Sequence, residues 1–328
     1  MQPLVSVIVP AYNHAAFVGE AIGSVLSQSL DNVEIIAIDD ASQDDTAEVL
    51  AAIDDPRLTL RRHEENRGAA QTLNEGITLA RGEYLAILNS DDRYQPTRLA
   101  ECLDTLRQRD LLLLGTHLDL INASGIPIQG PAFWWNQWYQ GLIQLYRTTQ
   151  DLGTTLITGN LFISTSNFVL HRNLVERVGL FSDLRYVQDY DYVLRCLIRV
   201  PEAVAWIDRP LLQYRLHDRN TILEDAIPPV RQTIGLLARH APDLIQGEHK
   251  LSRHAAFEEH LLRLAGYIER DAKILGSETW HEHDAGLQAR IDILQAHCDL
   301  LEAKLNVAPL RWLRYVARQT RAIVKGGS

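Results

Sequence analysis

The sequence predicts an α/β fold: a mostly parallel sheet flanked by helices, followed by a C-terminal helical extension. Three observations predict it. Short apolar runs alternate with helix-periodic segments through the first third of the 328 residues. The runs are apolar almost throughout, as strands buried on both faces require. The chain past about Asp225 reads as helix alone.

Val5 to Val9 is the first strand and ends at Pro10. Ala15 to Gln28 follows with helical spacing, Phe17, Ala21, Val25 and Gln28 falling on one side. Val33 to Ile38 is the second strand and runs into Asp39-Asp40. A helix from Asp44, a short strand Arg57 to Leu60 and a helix Gly68 to Ala80 come next. Tyr84 to Leu88 is a further strand, ending in Asn89-Ser90-Asp91-Asp92. Pro96 opens a helix to about Arg107, and Leu111 to Leu114 begins another strand. Strands alternating with helices argue for βαβ units. Ligands of such sheets sit at the carboxyl ends of the strands. Three strand ends here carry polar or special residues, Pro10 to Asn13, Asp39-Asp40 and Asn89 to Asp92, and are expected to line one crevice.

Hydrophobic residues make up 46% of the chain and charged residues 23%, which is globular composition. The net charge of -10 excludes a general nucleic-acid binder, which needs cations to neutralise phosphates. Cys102, Cys196 and Cys298 are widely spaced, so neither a disulfide framework nor a cysteine zinc site is indicated. Met1 to Ser6 has no basic start and does not read as a signal peptide. No stretch is apolar over a bilayer's thickness. The expectation is a cytoplasmic protein, peripheral on the inner face of the membrane if it meets one.

The expected division is a domain over 1–221 and a helical extension over 222–328. Within the extension, Leu287, Ile291, Leu294, Cys298, Leu301 and Leu305 form a short heptad segment (287–305) that suits either a homo-oligomer or packing on its own domain. Over 309–325, Arg311, Arg314, Arg318, Arg321 and Lys325 recur at helical spacing beside an apolar side. A basic amphipathic helix of this kind suits an anionic membrane surface or the acidic body of the protein.

The acidic pairs carry the chemistry. Adjacent carboxylates at a strand end repel, and a hard divalent ion or a cluster of donors relieves them. Asp91-Asp92 therefore reads as a metal site or as a helix cap near Pro96. Asp39-Asp40 reads as an acceptor for a base or ribose, or as a cap for the helix from Asp44.

Taken together, the motifs resemble one family. Val5-Ser6-Val7-Ile8-Val9-Pro10-Ala11-Tyr12-Asn13, Ala21 to Ser29, Ile36-Ala37-Ile38-Asp39-Asp40-Ala41-Ser42-Gln43-Asp44, Asn66-Arg67-Gly68, Ala80 to Tyr84 and Leu88 to Asp92 agree in order and spacing with the inverting GT-A-fold glycosyltransferases of family 2. Ser166-Asn167-Phe168-Val169 with Arg172, Val178 to Phe181, Gln188-Asp189-Tyr190-Asp191 with Leu194-Arg195, and Tyr214-Arg215-Leu216-His217 extend the resemblance over residues 4 to 221.

The resemblance implies a sugar transferred from a nucleotide-diphosphate donor, a UDP-sugar by default, to a hydroxyl of a glycan or lipid-linked glycan. It implies cell-surface polysaccharide synthesis and a divalent cofactor, Mn2+ or Mg2+. Tyr12 and the Pro10 backbone would flank the base, Asp40 would contact it, and Asp39 would support that strand end. Arg67 would lie on the nucleotide side. Asp91 would hold the ribose or a metal-bound water, Asp92 the metal, and His217 the diphosphate or metal. Asp189 would be the base that takes the acceptor's proton, with Asp191 its rival and a surface pairing with Arg195 its bland alternative.

Two departures stand out. Asn89 replaces an acid common in the family, and Gln188 replaces the acid usual before the base. Removing that charge should ease ionisation of Asp189.

Three other patterns allow more than one reading. The aromatics Phe133-Trp134-Trp135-Asn136-Gln137-Trp138-Tyr139 suit an acceptor platform or a packed helix. His281-Glu282-His283 reads as a solvated helical turn. Ala11 to Ala15 lacks the glycines of a triphosphate loop, which argues against a pyrophosphorylase. A non-catalytic subunit retaining the fold is the other reading, disfavoured by the retained Asp40, Asp91, Asp92 and Asp189.

Overall fold

The computed structural model describes residues 2–128, 134–218, 220, 227–245, 252–257, 259–260 and 263–264. The chain divides into two compact units. One comprises Met1–Leu152 with Asn160–Glu224, the other Gly153–Gly159 with Asp225–Ser328. The heptad segment 287–305, the basic segment 309–325 and His281-Glu282-His283 lie outside the described residues. No helix among the described residues is long and apolar enough to cross a membrane.

The first unit is built on an eight-stranded sheet. Its strands are β1 (Val5–Ala11), β2 (Val33–Asp39), β3 (Leu58–Arg62), β4 (Tyr84–Ile87), β5 (Arg93–Tyr94), β6 (Leu113–Asn122), β7 (Val169–His171) and β8 (Val204–Leu216). They lie in the order β3-β2-β1-β4-β7-β6-β8-β5. The block from β3 to β4 is parallel throughout. Beyond it β7 pairs antiparallel with β4 and β6, β6 pairs parallel with β8, and β5 closes antiparallel on β8. Four of the seven pairings are thus parallel, so the expected parallel character belongs to the first half and the second half is mixed.

The apolar runs behave as their composition requires. Every residue of β2 and all but Pro10 in β1 are buried. Helices α1 (Val18–Leu26), α2 (Thr46–Ala51), α3 (Ala69–Leu79) and α4 (Arg98–Gln108) fill the connections between strands. Helix α1 turns Val18, Ala21, Ile22 and Val25 into the core, the stripe expected of an amphipathic helix. Gly82 sits where the chain enters β4, and any Cβ there would fall 2.6 Å from the Ser6 backbone nitrogen. Glycine is what lets that loop pack on β1.

Helix α5 (Trp134–Thr149) carries most of the aromatic segment. Its Tyr139 is buried, accepts a hydrogen bond from the Leu118 N–H at 3.3 Å, and meets the His117 ring edge-on. That tyrosine belongs to the core rather than to a platform. Helix α6 (Leu152–Thr158) is followed by α7 (Asn173–Val178) and α8 (Gln188–Arg199).

The second unit contains α9 (Ile227–Leu244) and further helical residues at 252–257. Within it the buried His260 places Nδ1 2.6 Å from the Ile157 carbonyl, and burial pushes its imidazole down to about 3.

Candidate active site

Strands β1, β2 and β4 run parallel, so their carboxyl ends open on one side of the sheet. The first two ends turn sharply. Asn13 and Ala41 both adopt left-handed backbone conformations, with φ of 55° and 60°. For alanine this costs roughly 1–2 kcal/mol, and such strain collects at functional sites. Side chains tie the two turns together. Asn13 N donates to Ser42 Oγ at 2.9 Å, and Gln43 N donates to Asn13 Oδ1 at 2.8 Å. Tyr12 stands at this rim with 42% of its surface exposed, next to Pro10 and Ala11 at the end of β1.

The Asp39-Asp40 pair divides its work. Three donors already converge on Asp40. His63 Nδ1 lies 2.6 Å from Oδ1, Arg67 N donates to Oδ1 at 2.8 Å, and Gly68 N donates to Oδ2 at 2.9 Å. Gly68 opens α3 at φ 85°, a conformation glycine adopts freely. Asp40 therefore anchors the Asn66-Arg67-Gly68 loop. Arg67 itself reaches outward to Glu75 at 3.3 Å. Asp39 differs. Its Oδ2 meets Ser42 N at 3.4 Å and Arg62 Nε at 3.3 Å, while Oδ1 is buried with no hydrogen-bond partner among the described residues. A buried acceptor left unpaired costs free energy unless a ligand or an ordered water supplies the donor.

The Asp91-Asp92 pair divides in the same way. Asp92 is fully buried, Ser166 Oγ donates to its Oδ2 at 2.6 Å, and Arg215 N donates to its Oδ1 at 2.9 Å. Burial and the neighbouring charge of Asp91 push the Asp92 carboxyl well up. Asp91 instead meets His217, with Nε2 3.1 Å from Oδ2. Burial alone would push the Asp91 carboxyl up, but the contact with His217 and the nearby imidazole of His14 hold it below the ordinary carboxylate range. One ligand atom from each of His14, Asp91 and His217 falls within 4.8 Å of the others. Asp92 is not in that group.

Arg215 builds the floor beneath this cluster. It is buried, donates from Nε to the Asp91 carbonyl at 2.7 Å, and donates from a terminal nitrogen to Glu20 at 2.6 Å. Its guanidinium lies 4.9 Å from the centre of the Phe17 ring, which in turn packs on His217 at 4.7 Å. Asn89 is held as an amide should be. Its Nδ2 donates to Ser164 Oγ at 3.0 Å and its Oδ1 accepts from Thr165 Oγ1 at 2.8 Å.

Asp189 enters from the first turn of α8. It is buried, and Asn160 Nδ2 donates to its Oδ2 at 2.7 Å. Burial pushes its carboxyl up to about 6, against the opposing hydrogen bonds from Tyr190 N–H and Asn160. Asp191 is tied elsewhere. Ser182 Oγ and Arg195 Nε donate to its Oδ2 at 2.6 and 2.8 Å. The arginine pairing considered for Asp189 thus belongs to Asp191. Tyr214 on β8 links the regions. Its hydroxyl is pushed well up by burial and then by the charges of Asp92, Asp91 and Asp189 together. All three carboxylates lie within electrostatic reach of one phenol.

Sequence reasoning assigned no role to His14, His63, Asn160, Ser166 or Arg215. Ser166 and Arg215 stood inside the quoted motifs, and His14 directly follows the first of them. A histidine two residues past Tyr12 at a strand end was the available signal for His14. Asn160 sits in no motif, and nothing short of the fold brings it to Asp189.

The family model for glycosyl transferase family 2 matches residues 6–179. The chain belongs to that family and is a glycosyltransferase with a GT-A fold. A glycosyltransferase of Haemophilus influenzae is 30% identical over 228 residues, covering 67% of this chain and 67% of its own. The succinoglycan biosynthesis protein ExoO of Rhizobium meliloti is 37% identical over 123 residues, 38% of this chain and 35% of that protein. Among solved structures, S. aureus TarS in complex with UDP-GlcNAc superposes with a TM-score of 0.68 at 16% identity, covering 99% of this chain and 91% of that one. The mannosyltransferase PcManGT of Pyrobaculum calidifontis, in complex with GDP-Man and Mn2+, gives 0.51 at 19% identity over 98% and 81%. The chain spans about two thirds of the length of the first curated glycosyltransferases it matches.

Proposed function

We propose that this glycosyltransferase moves a sugar from a nucleotide-diphosphate donor, a UDP-sugar in first place, to a hydroxyl of a glycan or lipid-linked glycan, with inversion at the anomeric carbon. The observation that carries the reading is the group His14, Asp91 and His217 at the strand ends, whose ligand atoms lie within 4.8 Å of one another. The resemblance to ExoO supports a polysaccharide setting.

The residues fit a divalent cation. Two imidazoles and a carboxylate suit a first-row transition ion, of which Mn2+ is the hardest, better than Mg2+, which prefers oxygen ligands throughout. On this reading Asp91, His217 and His14 hold the ion, and Asp92 holds Asp91's loop in place through Ser166 and Arg215. A cation bound there supplies charge neutralisation to the departing diphosphate. That PcManGT was solved with Mn2+ is in keeping with it.

The base site is assigned to Asp39 and Tyr12. The unpaired Asp39 Oδ1 accepts only, so it suits a ring N–H, which uracil and guanine offer and cytosine does not. Tyr12 supplies an aromatic face at the same rim, and Arg67 lies on the loop that Asp40 anchors. On the acceptor side Asp189 takes the hydroxyl proton as the new C–O bond forms. A carboxyl raised to about 6 is a stronger base than an ordinary aspartate yet is ionised at neutral pH. Fixing donor and acceptor in line provides much of the remaining acceleration.

The domain limits 1–221 and 222–328, self-association through 287–305 and contact of 309–325 with an anionic membrane surface complete the proposal. All three rest on the sequence pattern.

A thermal-shift series tests the assignment. UDP, UDP-glucose and UDP-GlcNAc should each raise the melting temperature in Mn2+ and not in its absence. Asp189→Asn should keep that shift and lose UDP release from the productive donor. Loss of the shift in Asp189→Asn would overturn the assignment of that residue as base.

A further inference from the structure

Asn160 is a buried-site contact that no motif contains. Its carboxamide is held at both ends. The Phe162 N–H donates to Asn160 Oδ1 at 3.1 Å, so the amide nitrogen must face the other way, where Nδ2 donates to Asp189 Oδ2 at 2.7 Å. The bond to Phe162 spans two residues, the geometry of an asparagine-led turn. The turn fixes the donor before any substrate arrives.

We propose that Asn160 is a positioning residue for the transfer step, a pre-set neutral donor that holds the Asp189 carboxylate oriented and ionised. The inference rests on the reading of Asp189 as the base. A donor to the charged form favours ionisation, and here it opposes the burial that disfavours it. Among the described side chains it is the neutral Asn160 amide that donates to Asp189, beside backbone N–H groups. Tyr214 on β8 lies within electrostatic reach of Asp189, and burial and the surrounding acids push its hydroxyl well up. On its own helix Asp191 is paired with Arg195 and Ser182. The Tyr190 N–H adds a backbone donor. A lysine or arginine in place of Asn160 would drive the carboxyl down and weaken it as a base. A neutral amide keeps it near the working pH.

Two variants separate the donor from the turn. Asn160→Ser keeps a side-chain oxygen able to accept from the N–H two residues on, but its hydroxyl is too short to reach Asp189. Asn160→Ala removes both bonds. The readout is the protonation of Asp189 itself, followed by pH-difference infrared spectroscopy of the carboxylic C=O band in the full chain without ligand. Asp189→Asn identifies the band by its disappearance. We expect a midpoint near 6 in the unaltered protein. It should rise by about one unit in both Asn160 variants, in line with loss of a hydrogen bond to a charged group. Circular dichroism establishes that each variant is folded, and either one suffices. An unmoved midpoint in a folded variant overturns the inference. The base reading fails separately: if Asp189→Asn releases UDP from UDP-GlcNAc or UDP-glucose in Mn2+ as fast as the unaltered protein, Asp189 is not the base, whatever the midpoints show.

Discussion

Arg195 Nε donates to Asp191 Oδ2 at 2.8 Å, one turn along the same helix, and Ser182 shares that oxygen. The contact separates two acids that stand two residues apart. Asp191 is a buried structural anion with a cation beside it, while Asp189 meets a neutral amide. Asp191→Asn should therefore destabilise the fold by about 3 kcal/mol, the scale of a broken buried pair, and leave turnover per folded molecule within about threefold. Asp189→Asn should lower turnover by about 10²–10⁴, the usual worth of a general base. Urea unfolding and UDP release measured on the same samples check both.

At the end of β4 the same logic assigns opposite outcomes to neighbours. Asp91→Asn should weaken Mn2+ binding by about tenfold or more, since outer and inner contacts at metal sites carry effects of that size. Asp92→Asn should leave Mn2+ affinity within about threefold, because an amide can still accept from Arg215 N and pair with Ser166. Titration calorimetry with Mn2+ in the presence of UDP distinguishes them.

The pair at the end of β2 divides likewise. Asp40→Ala removes the acceptor of two backbone N–H groups and of His63, and should cost about 1–3 kcal/mol of stability. Asp39→Ala should leave the fold intact and weaken UDP binding by about 10- to 100-fold, the worth of a hydrogen bond to a charged acceptor. Denaturant melts and UDP titrations read the two effects.

Asp189 also links pH to stability. Its folded carboxyl lies near 6, above the ordinary 3.8. The folded state therefore holds the proton more tightly, and stability falls as pH rises from about 4 to about 6. Asp189→Asn removes that penalty. The variant should be more stable than the unaltered protein at pH 8, by at most about 3 kcal/mol, with the difference vanishing below pH 4. Turnover of the unaltered protein should show the mirror image, rising with pH through about 6. Thermal melts and initial rates across that range test both signs.

The elements that place the site were legible because their signals are local. Val5 to Val9 and Val33 to Ile38 read as buried strands, and they form β1 and β2. The division of labour inside each acidic pair was not legible. In each pair one carboxylate is held by donors from distant parts of the chain while its neighbour meets other groups. The motif shows the pair without showing which member turns inward. Only the donors decide that, and they come from afar: Ser166 and Arg215 for Asp92, Arg67 and Gly68 for Asp40. The short strands β5 and β7 were missed for a related reason. Two and three residues carry no periodicity, and both owe their form to antiparallel partners.

A crystal structure of the chain grown with UDP and Mn2+ tests the central claim most directly. The account predicts anomalous density for the ion against Asp91 and His217, the uracil ring against Asp39, and Asp40 and Asp92 still bound by the donors they have now. An ion ligated by Asp92, or a base held by Asp40, would contradict it.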